Sequence, residues 1–476
     1  MKITTTALFA WFSLPSQLLA FTPSSPLHNR VKHHPSKLQL NESGWSPSSW
    51  RSKRTPPHMP TYDNANPDDL SSAVSKIESF SPLVFAGEVR MLNEQLARAT
   101  QGQGFVLMGG DSAEAYTEFD VDTVRDSFRV MLQMALVLTF GSSLPIVKIG
   151  RLGGQFAKIR EEGERNDPDT MVRAYHRSAQ TLNILRAFSS GGYADISRLQ
   201  AWNLDFVEQT PEGSKYRMFA QKVDESLRFM KAIGLDTQGP AFTKVNFFTA
   251  HECLNLPFEE ALTRNDSTSG RHYGCSAHML WLGEKTKDKD GSHMEFIEGL
   301  GNPLGIKISD KCTPEELIRL VETVNPQNIP GKLTVIVRMG AEKLRKNLPG
   351  LIRAVQRDGK SVLWISDPIH GNRREGSGGE VITRDFDAIR SELRAFFDVH
   401  DEMGSHPGGV HLDMTGEDVS EIAGGIGPGM RESVTNVSDK YDPRLNGEQS
   451  LELAFLIAER MRLRSGLPPL QPALAP

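Results

Sequence analysis

Ser361-Val-Leu-Trp-Ile-Ser-Asp367-Pro-Ile-His370-Gly-Asn372 begins as a short apolar run and stops abruptly at polar and turn-forming residues. The run has the length and the β-branched content of a buried strand. In an α/β protein, the carboxyl end of such a strand holds side chains rigidly at the mouth of a cleft. We therefore expect chemistry at the polar end of this stretch.

The chain has eight apolar runs of strand length, and most are separated by amphipathic segments. One of these segments opens with the helix-capping box Thr313-Pro-Glu-Glu316. Strands that alternate with helices predict an α/β fold in which a parallel sheet closes as a (β/α)8 TIM barrel. The predicted strands are Phe105–Met108, Ile146–Ile149, Val245–Thr249, Met279–Leu282, Gly305–Ile308, Thr334–Val337, Val362–Ile365 and Val410–Leu412.

Three regions follow from this pattern. Residues 45–103 form an N-terminal extension, in which the segment from Pro67 to Gly102 has helical apolar spacing. Residues 104–464 form the barrel, which includes a helical insertion at about 160–240 between its second and third strands, and residues 465–476 form a C-terminal tail. We expect the extension and the insertion to make the contacts of a homo-oligomer or to bind effectors.

The N-terminus has the composition of a targeting sequence. Residues 1–20 combine a basic start with a short apolar centre, which is typical of a signal peptide. Residues 21–44 predict a disordered, transit-peptide-like segment, because the chain from Phe21 to about Pro60 is rich in Ser, Pro, His, Lys and Arg and holds one acid, Glu42. The join Leu19-Ala20-Phe21 resembles the two-part presequence of algae with secondary plastids. We predict a plastid location, and simple secretion with a disordered stalk is the alternative.

Composition excludes several classes of partner. A formal charge of −5 over 476 residues gives no reason to expect nucleic acid or a membrane surface. No apolar run after the N-terminal one is long enough to span a bilayer, so no membrane association is expected in the mature form. The three cysteines, Cys253, Cys275 and Cys312, show no CxxC spacing, which favours a reduced compartment.

A set of basic residues follows the predicted strands. Because parallel strands end at the same mouth, we expect these cations to converge on ligands that carry phosphate and carboxylate. The alternative is that they are solvated surface charges. They are Arg151, Lys158, Lys285, Lys307 and Arg338.

A second set combines an imidazole with carboxylates. His370, Asp413 and Asp442, with Ser112 near them, suit a divalent ion of the Mn, Fe, Co or Mg type. Asp367 is placed to orient the His370 ring. The alternative is a structural histidine beside aspartates that cap helices.

Familiar motifs of other enzyme classes are missing. His251-Glu252 is not a zinc-protease motif, because Asn255 stands where the second histidine would be. No P-loop occurs, and Gly425-Ile-Gly-Pro-Gly429 lacks the strand–turn–helix context of a dinucleotide site. Hydride transfer is therefore unsupported.

Ordered motifs from about Trp45 to about Arg464 closely resemble those of the type II (plant-type) 3-deoxy-D-arabino-heptulosonate 7-phosphate (DAHP) synthases. The resemblance implies a metal-dependent barrel that joins phosphoenolpyruvate to erythrose 4-phosphate at the entry to the shikimate pathway. The motifs are Gly109-Gly-Asp-Ser-Ala-Glu114, Gly150-Arg-Leu-Gly-Gly-Gln-Phe-Ala-Lys158, Cys275-Ser-Ala-His-Met-Leu-Trp-Leu-Gly-Glu284, Asn302-Pro-Leu-Gly-Ile-Lys307, Val337-Arg-Met-Gly340, Asp367-Pro-Ile-His-Gly-Asn372, Gly404-Ser-His-Pro-Gly-Gly409 and Asp442-Pro-Arg-Leu-Asn446.

The resemblance also implies roles for individual residues. Lys158 and His370 would lie at the reacting centre, and a divalent Mn, Co or Mg ion would be held by the second set. The implied phosphoenolpyruvate contacts are Arg151, Glu284, Lys285, Lys307 and Arg338, and the implied metal positions are Ser112, His370, Asp413 and Asp442.

Three positions depart from the family pattern. Ser112 stands where the family has Cys, Asp413 where it has Glu, and Lys285 where it usually has Arg. A neutral hydroxyl is a weaker and harder ligand than a thiolate, so the changes favour Mg or Mn. Two alternatives to the family reaction follow: a catalytically weakened regulatory homologue, and a related condensation of phosphoenolpyruvate with another aldose phosphate.

Overall fold

The computed structural model describes residues 44–56, 62, 65–111, 113–114, 120–154, 156, 167–202, 210–375, 381–425 and 442–468, without the side chains of 200, 201, 373–375 and 381–383. The predicted signal and transit segments fall almost entirely outside these residues. In this part of the chain, no helix is long and apolar enough to cross a membrane.

The described strands form one closed barrel and two small hairpins. The barrel order is β1-β2-β3-β6-β7-β8-β9-β12, all neighbours are parallel, and β12 returns to pair with β1. The (β/α)8 prediction is therefore confirmed. The strands are β1 (Phe105–Gly110), β2 (Ile146–Arg151), β3 (Phe247–Glu252), β4 (Thr263–Asn265), β5 (His272–Gly274), β6 (Met279–Leu282), β7 (Leu304–Ile308), β8 (Leu333–Val337), β9 (Leu363–Ser366), β10 (Arg373–Glu375), β11 (Val381–Arg384) and β12 (Gly409–Asp413).

Helices alternate with the barrel strands and surround them. They are α1 (Pro67–Ser79), α2 (Ala86–Thr100), α3 (Val121–Ser142), α4 (Pro168–Ser190), α5 (Pro211–Ala232), α6 (Pro240–Thr243), α7 (Leu256–Ala261), α8 (Ser292–Glu298), α9 (Pro314–Val324), α10 (Ala341–Arg357), α11 (Pro368–Gly371), α12 (Phe386–Glu402) and α13 (Gly447–Arg464). Helices α4, α5 and α6 lie between β2 and β3; α4 and α5 fall within the range given for the insertion, and α6 follows at its end.

The segment from Pro67 to Gly102, which has helical apolar spacing, forms the two helices α1 and α2. The break contains Pro82, which lacks a backbone N–H and disfavours a helical conformation in the residue before it. The backbone N–H groups of Leu83 and Val84 instead donate to the carbonyl of Cys275, each at 3.1 Å. The extension is thereby attached to the segment that leads into β6.

Alternate residues of the strands fill the barrel interior, among them Val106, Met108, Ile149 and Trp281. Leu92 and Leu96 of α2 belong to the same buried cluster, so α2 closes one end of the barrel. Ligand access is therefore left to the opposite end, where the carboxyl ends of the strands meet.

Candidate active site

Strand register places the first functional pair. Gly110 of β1 is level with Arg151 of β2 on one side and with Asp413 of β12 on the other. Gly110 carries no side chain and has a φ of +141°, and a Cβ there would lie 2.8 Å from the Arg151 carbonyl oxygen. Arg151 and Asp413 can therefore meet across this glycine, and they form a fully buried ion pair.

His370, Asp413 and Asp442 come together at this mouth. One ligand atom from each lies within 4.8 Å of the others. His370 Nε2 is 3.3 Å from Asp413 Oδ2 and 3.7 Å from Asp442 Oδ2. The three residues come from α11, from the end of β12 and from the segment before α13, which are far apart in sequence.

Asp367 orients the His370 ring. It follows β9 directly, and its Oδ1 lies 2.9 Å from His370 Nδ1 and accepts the His370 backbone N–H at 3.1 Å. Burial would raise the pKa of Asp367, yet His370, Lys307 and His411 hold that pKa well below its usual range. An ionised Asp367 accepts a hydrogen bond from Nδ1–H, so the lone pair of Nε2 faces Asp413 and Asp442.

The residues present fit a divalent metal ion. Both oxygens of Asp413 are buried: Oδ1 is paired with Arg151, and Oδ2 faces His370 Nε2 at 3.3 Å. Burial lowers the pKa of His370, with Lys307 contributing, so the imidazole is neutral as a metal ligand must be. One imidazole nitrogen and two carboxylates form a donor set suited to Mn, Fe, Co or Mg.

Cations border this cluster. Lys307 Nζ donates to Asp367 Oδ2 at 2.8 Å, and Arg338 Nη2 donates to the His370 carbonyl at 3.3 Å. Burial lowers the pKa of Arg151 to about 10, opposed by Asp367 and Glu252, which leaves it charged at neutral pH. Arg151, Lys307 and Arg338 are thus brought to the carboxylate cluster, as expected from their positions after the strands.

Other predicted residues are not brought to the cluster by any described contact. Glu284 pairs with Lys287 at 3.3 Å, and Lys287 also contacts Glu316. Lys285 is exposed. Ser112 and Lys158 lie outside the described residues, so the roles given to them stay predictions.

Sequence reasoning missed Trp281 and His411, which line the site from inside the barrel. The ring of Trp281 lies 5.5 Å from the Arg151 guanidinium and 5.8 Å from Lys307 Nζ, measured to its centroid. His411 Nδ1 is 3.4 Å from Asp367 Oδ2. A histidine between Val410 and Leu412 in an apolar run was a usable signal for a buried polar group.

Sequence reasoning also missed Arg384, Glu392 and Arg444. Their side chains contact the segments that form the barrel mouth. Arg384 is completely buried and lies 3.4 Å from Asp442. Arg444 Nη1 donates to Asp111 at 2.7 Å and its Nη2 donates to Glu421 at 2.8 Å. No spacing rule points to these residues, because their partners are distant in sequence.

The sequence profile of the Class-II DAHP synthetase family matches residues 45–165 and 159–458. A phospho-2-dehydro-3-deoxyheptonate aldolase of Streptomyces coelicolor is 42% identical over 88% of this chain and 98% of its own length. A probable chloroplastic phospho-2-dehydro-3-deoxyheptonate aldolase of Catharanthus roseus is 44% identical over 90% of this chain and 85% of its own. The phospho-2-dehydro-3-deoxyheptonate aldolase AroG of Mycolicibacterium smegmatis is 38% identical over 85% of this chain and 92% of its own length.

Among solved structures, a truncated DAHP synthase of Thermotoga maritima matches 76% of this chain and 88% of its own, at 14% identity and a TM-score of 0.34. At that score the likeness adds nothing to the fold, which rests on the strand pairing.

Proposed function

This chain belongs to the Class-II DAHP synthetase family, and we propose that it condenses phosphoenolpyruvate with erythrose 4-phosphate to give DAHP and phosphate. It would thus be a transferase of the 3-deoxy-7-phosphoheptulonate synthase type, at the first step of the shikimate pathway. The observation that supports this most directly is the placement of Arg151, Lys307 and Arg338 around the carboxylates and imidazole at the barrel mouth.

The cations would hold the anionic groups of phosphoenolpyruvate. Arg151 and Arg338 offer planar forks that match carboxylate and phosphate, and Lys307 adds a point charge. Their charges would also offset the repulsion between two phosphorylated substrates, so that the reacting carbons are held within reach. Lys285 and Glu284 are proposed to extend this site, and Lys158 to lie at the reacting centre.

A divalent ion held by His370, Asp413 and Asp442 would supply Lewis-acid polarisation of the aldehyde oxygen of erythrose 4-phosphate. Burial favours the neutral form of His370, and Asp367 orients its ring. Mn, Co and Mg all suit the donor set, with Ser112 as a further, weak ligand.

The location proposed for the protein is a plastid. The chloroplastic relative from Catharanthus roseus supports plastid targeting. A signal peptide at 1–20 followed by a transit segment at 21–44 is the composition expected for a secondary plastid. A homo-oligomer also remains part of the proposal.

Recombinant mature protein tests the proposed reaction. Phosphate release and phosphoenolpyruvate loss are measured with erythrose 4-phosphate in the presence of Mn, Co, Mg or a chelator. We expect turnover that requires a metal and is lost in His370→Ala, while the matched control His406→Ala, at an exposed histidine, retains it. Phosphoenolpyruvate binding without turnover would instead support a regulatory homologue, and turnover with another aldose phosphate alone would support the related condensation.

A further inference from the structure

Arg384 contacts the two segments that carry the proposed metal ligands His370 and Asp442. Its side chain is 0% exposed and comes from β11, the second strand of the hairpin that follows α11. Nε donates to the carbonyl of Ile369 at 2.8 Å, and Nη1 donates to the carbonyl of Pro443 at 3.0 Å. Ile369 directly precedes His370, and Pro443 directly follows Asp442.

The same guanidinium contacts a ligand side chain. Arg384 Nη2 lies 3.4 Å from Asp442 Oδ1, whereas Asp442 Oδ2 faces His370 Nε2 at 3.7 Å. One oxygen of Asp442 is therefore directed to the arginine and the other to the imidazole. The guanidinium is planar and its donors are fixed relative to one another. Its three simultaneous contacts therefore fix the position of the His370 segment relative to the Asp442 segment.

The backbone of Arg384 extends this link to the segment after β12. The Ala423 N–H donates to the Arg384 carbonyl at 3.0 Å, and the Phe386 N–H donates to the Ala423 carbonyl at 2.9 Å. Three stretches of the mouth, distant in sequence, thus converge on one buried residue. A charged side chain is rarely buried so completely unless its contacts compensate for the lost hydration.

We propose that Arg384 is a positioning residue that holds His370 and Asp442 at the separation a divalent ion requires. This inference rests on the metal site proposed above. In this role Arg384 acts through the carbonyls of Ile369 and Pro443 and through one oxygen of Asp442, rather than as a ligand of the ion.

Whether removal of the Arg384 side chain weakens or tightens metal binding distinguishes a positioning role from a purely electrostatic one. A positive charge beside Asp442 opposes a cation, so its removal would tighten metal binding if charge alone mattered. Loss of positioning has the opposite effect, and supporting residues of this kind typically change metal affinity by about 10-fold to 100-fold.

The test measures Mn²⁺ binding to metal-free protein by calorimetry. We expect Arg384→Met to bind Mn²⁺ about 10-fold to 100-fold more weakly than the unaltered chain, although a positive charge is lost. Arg384→Lys keeps the charge but not the fork, so we expect weaker binding there too, with an altered visible spectrum of the Co²⁺ complex. The control is Arg390→Met on α12, which removes ion pairs to Asp387 and Glu452 without a described contact to the ligands.

The outcomes distinguish this inference from the function on which it rests. Equal or tighter Mn²⁺ binding by folded Arg384→Met or Arg384→Lys overturns the positioning role while leaving the metal site intact. Absence of Mn²⁺ binding by the unaltered protein overturns the metal site itself. If Arg384→Met does not fold, Arg384→Lys and its Co²⁺ spectrum decide the question.

Discussion

The carboxylate of Glu392, on helix α12, accepts a hydrogen bond from Asn372 Nδ2 at 2.6 Å. This contact links α12 to the loop that follows His370. The same carboxylate accepts the backbone N–H of Met339 at 2.9 Å, next to Arg338 and close to the start of α10. A negative charge is favourable at a helix N-terminus. Glu392 therefore ties the loop of a proposed substrate-binding arginine to the loop of a proposed metal ligand.

Glu392→Gln should raise the KM for phosphoenolpyruvate by about tenfold, because a loosened Arg338 loop loses productive geometry. Glutamine has one acceptor oxygen for two donors, and its amide nitrogen faces a donor. Steady-state kinetics at saturating erythrose 4-phosphate measure the effect. Glu342→Gln, at an exposed position on α10, is the control, and an unchanged KM would contradict the link.

Glu392 also predicts a dependence of stability on pH. Burial raises its pKa from 4.5 to about 7. The folded state therefore binds the proton more tightly than the unfolded state, and this residue lowers stability as pH rises from about 4.5 to about 7. The Glu392→Gln variant, which does not titrate, should gain about 2.5 kcal/mol of unfolding free energy relative to the unaltered protein between about pH 5 and about pH 8.

Urea unfolding at the two pH values measures that change. The difference in unfolding free energy between the variant and the unaltered protein is compared at the two pH values. Any effect of the amide that does not depend on pH therefore cancels. A gap between the two proteins that stays the same at both pH values would show that the Glu392 proton is not retained on folding.

Arg338→Lys should weaken phosphoenolpyruvate binding by about tenfold, since lysine keeps the charge but cannot form two parallel hydrogen bonds. The effect is expected in the KM for phosphoenolpyruvate rather than in that for erythrose 4-phosphate. Arg345→Lys is the control for the general cost of replacing arginine by lysine. Arg345 lies on α10, close in sequence to Arg338, and pairs with Asp398 at 2.6 Å. Equal effects in both variants would remove Arg338 from the substrate site.

Ser112→Cys should tighten metal binding and raise activity, because a thiolate is a charged and softer ligand than a hydroxyl. Ser112 lies outside the described residues, and the prediction rests on its place in the Gly109-Gly-Asp-Ser112 motif. Calorimetric titration with Co²⁺ and Mn²⁺ measures it, and the largest gain is expected for Co²⁺. Unchanged affinity for both ions would exclude position 112 from the ligand set.

The barrel strands were predictable because each is a short apolar run bounded by turn residues. The ring closure then explains why His370, Asp413 and Asp442, separate in sequence, meet at one mouth. Arg384 and Glu392 were not predictable, since their contacts depend on where a hairpin and an outer helix return against the mouth. Local spacing also could not tell that Lys285 is exposed while Lys287 is buried, because the turn after β6 has no regular period.

Pairing of β1 with β12 has a consequence for how the protein is made. The two strands are separated by roughly 300 residues, and translation at about 5–20 residues per second takes about 15–60 seconds to cover that distance. Until the last strand leaves the ribosome, one edge of β1 has no permanent neighbour. Closure of the barrel is therefore a late step of synthesis, because it needs the last strand as well as the first.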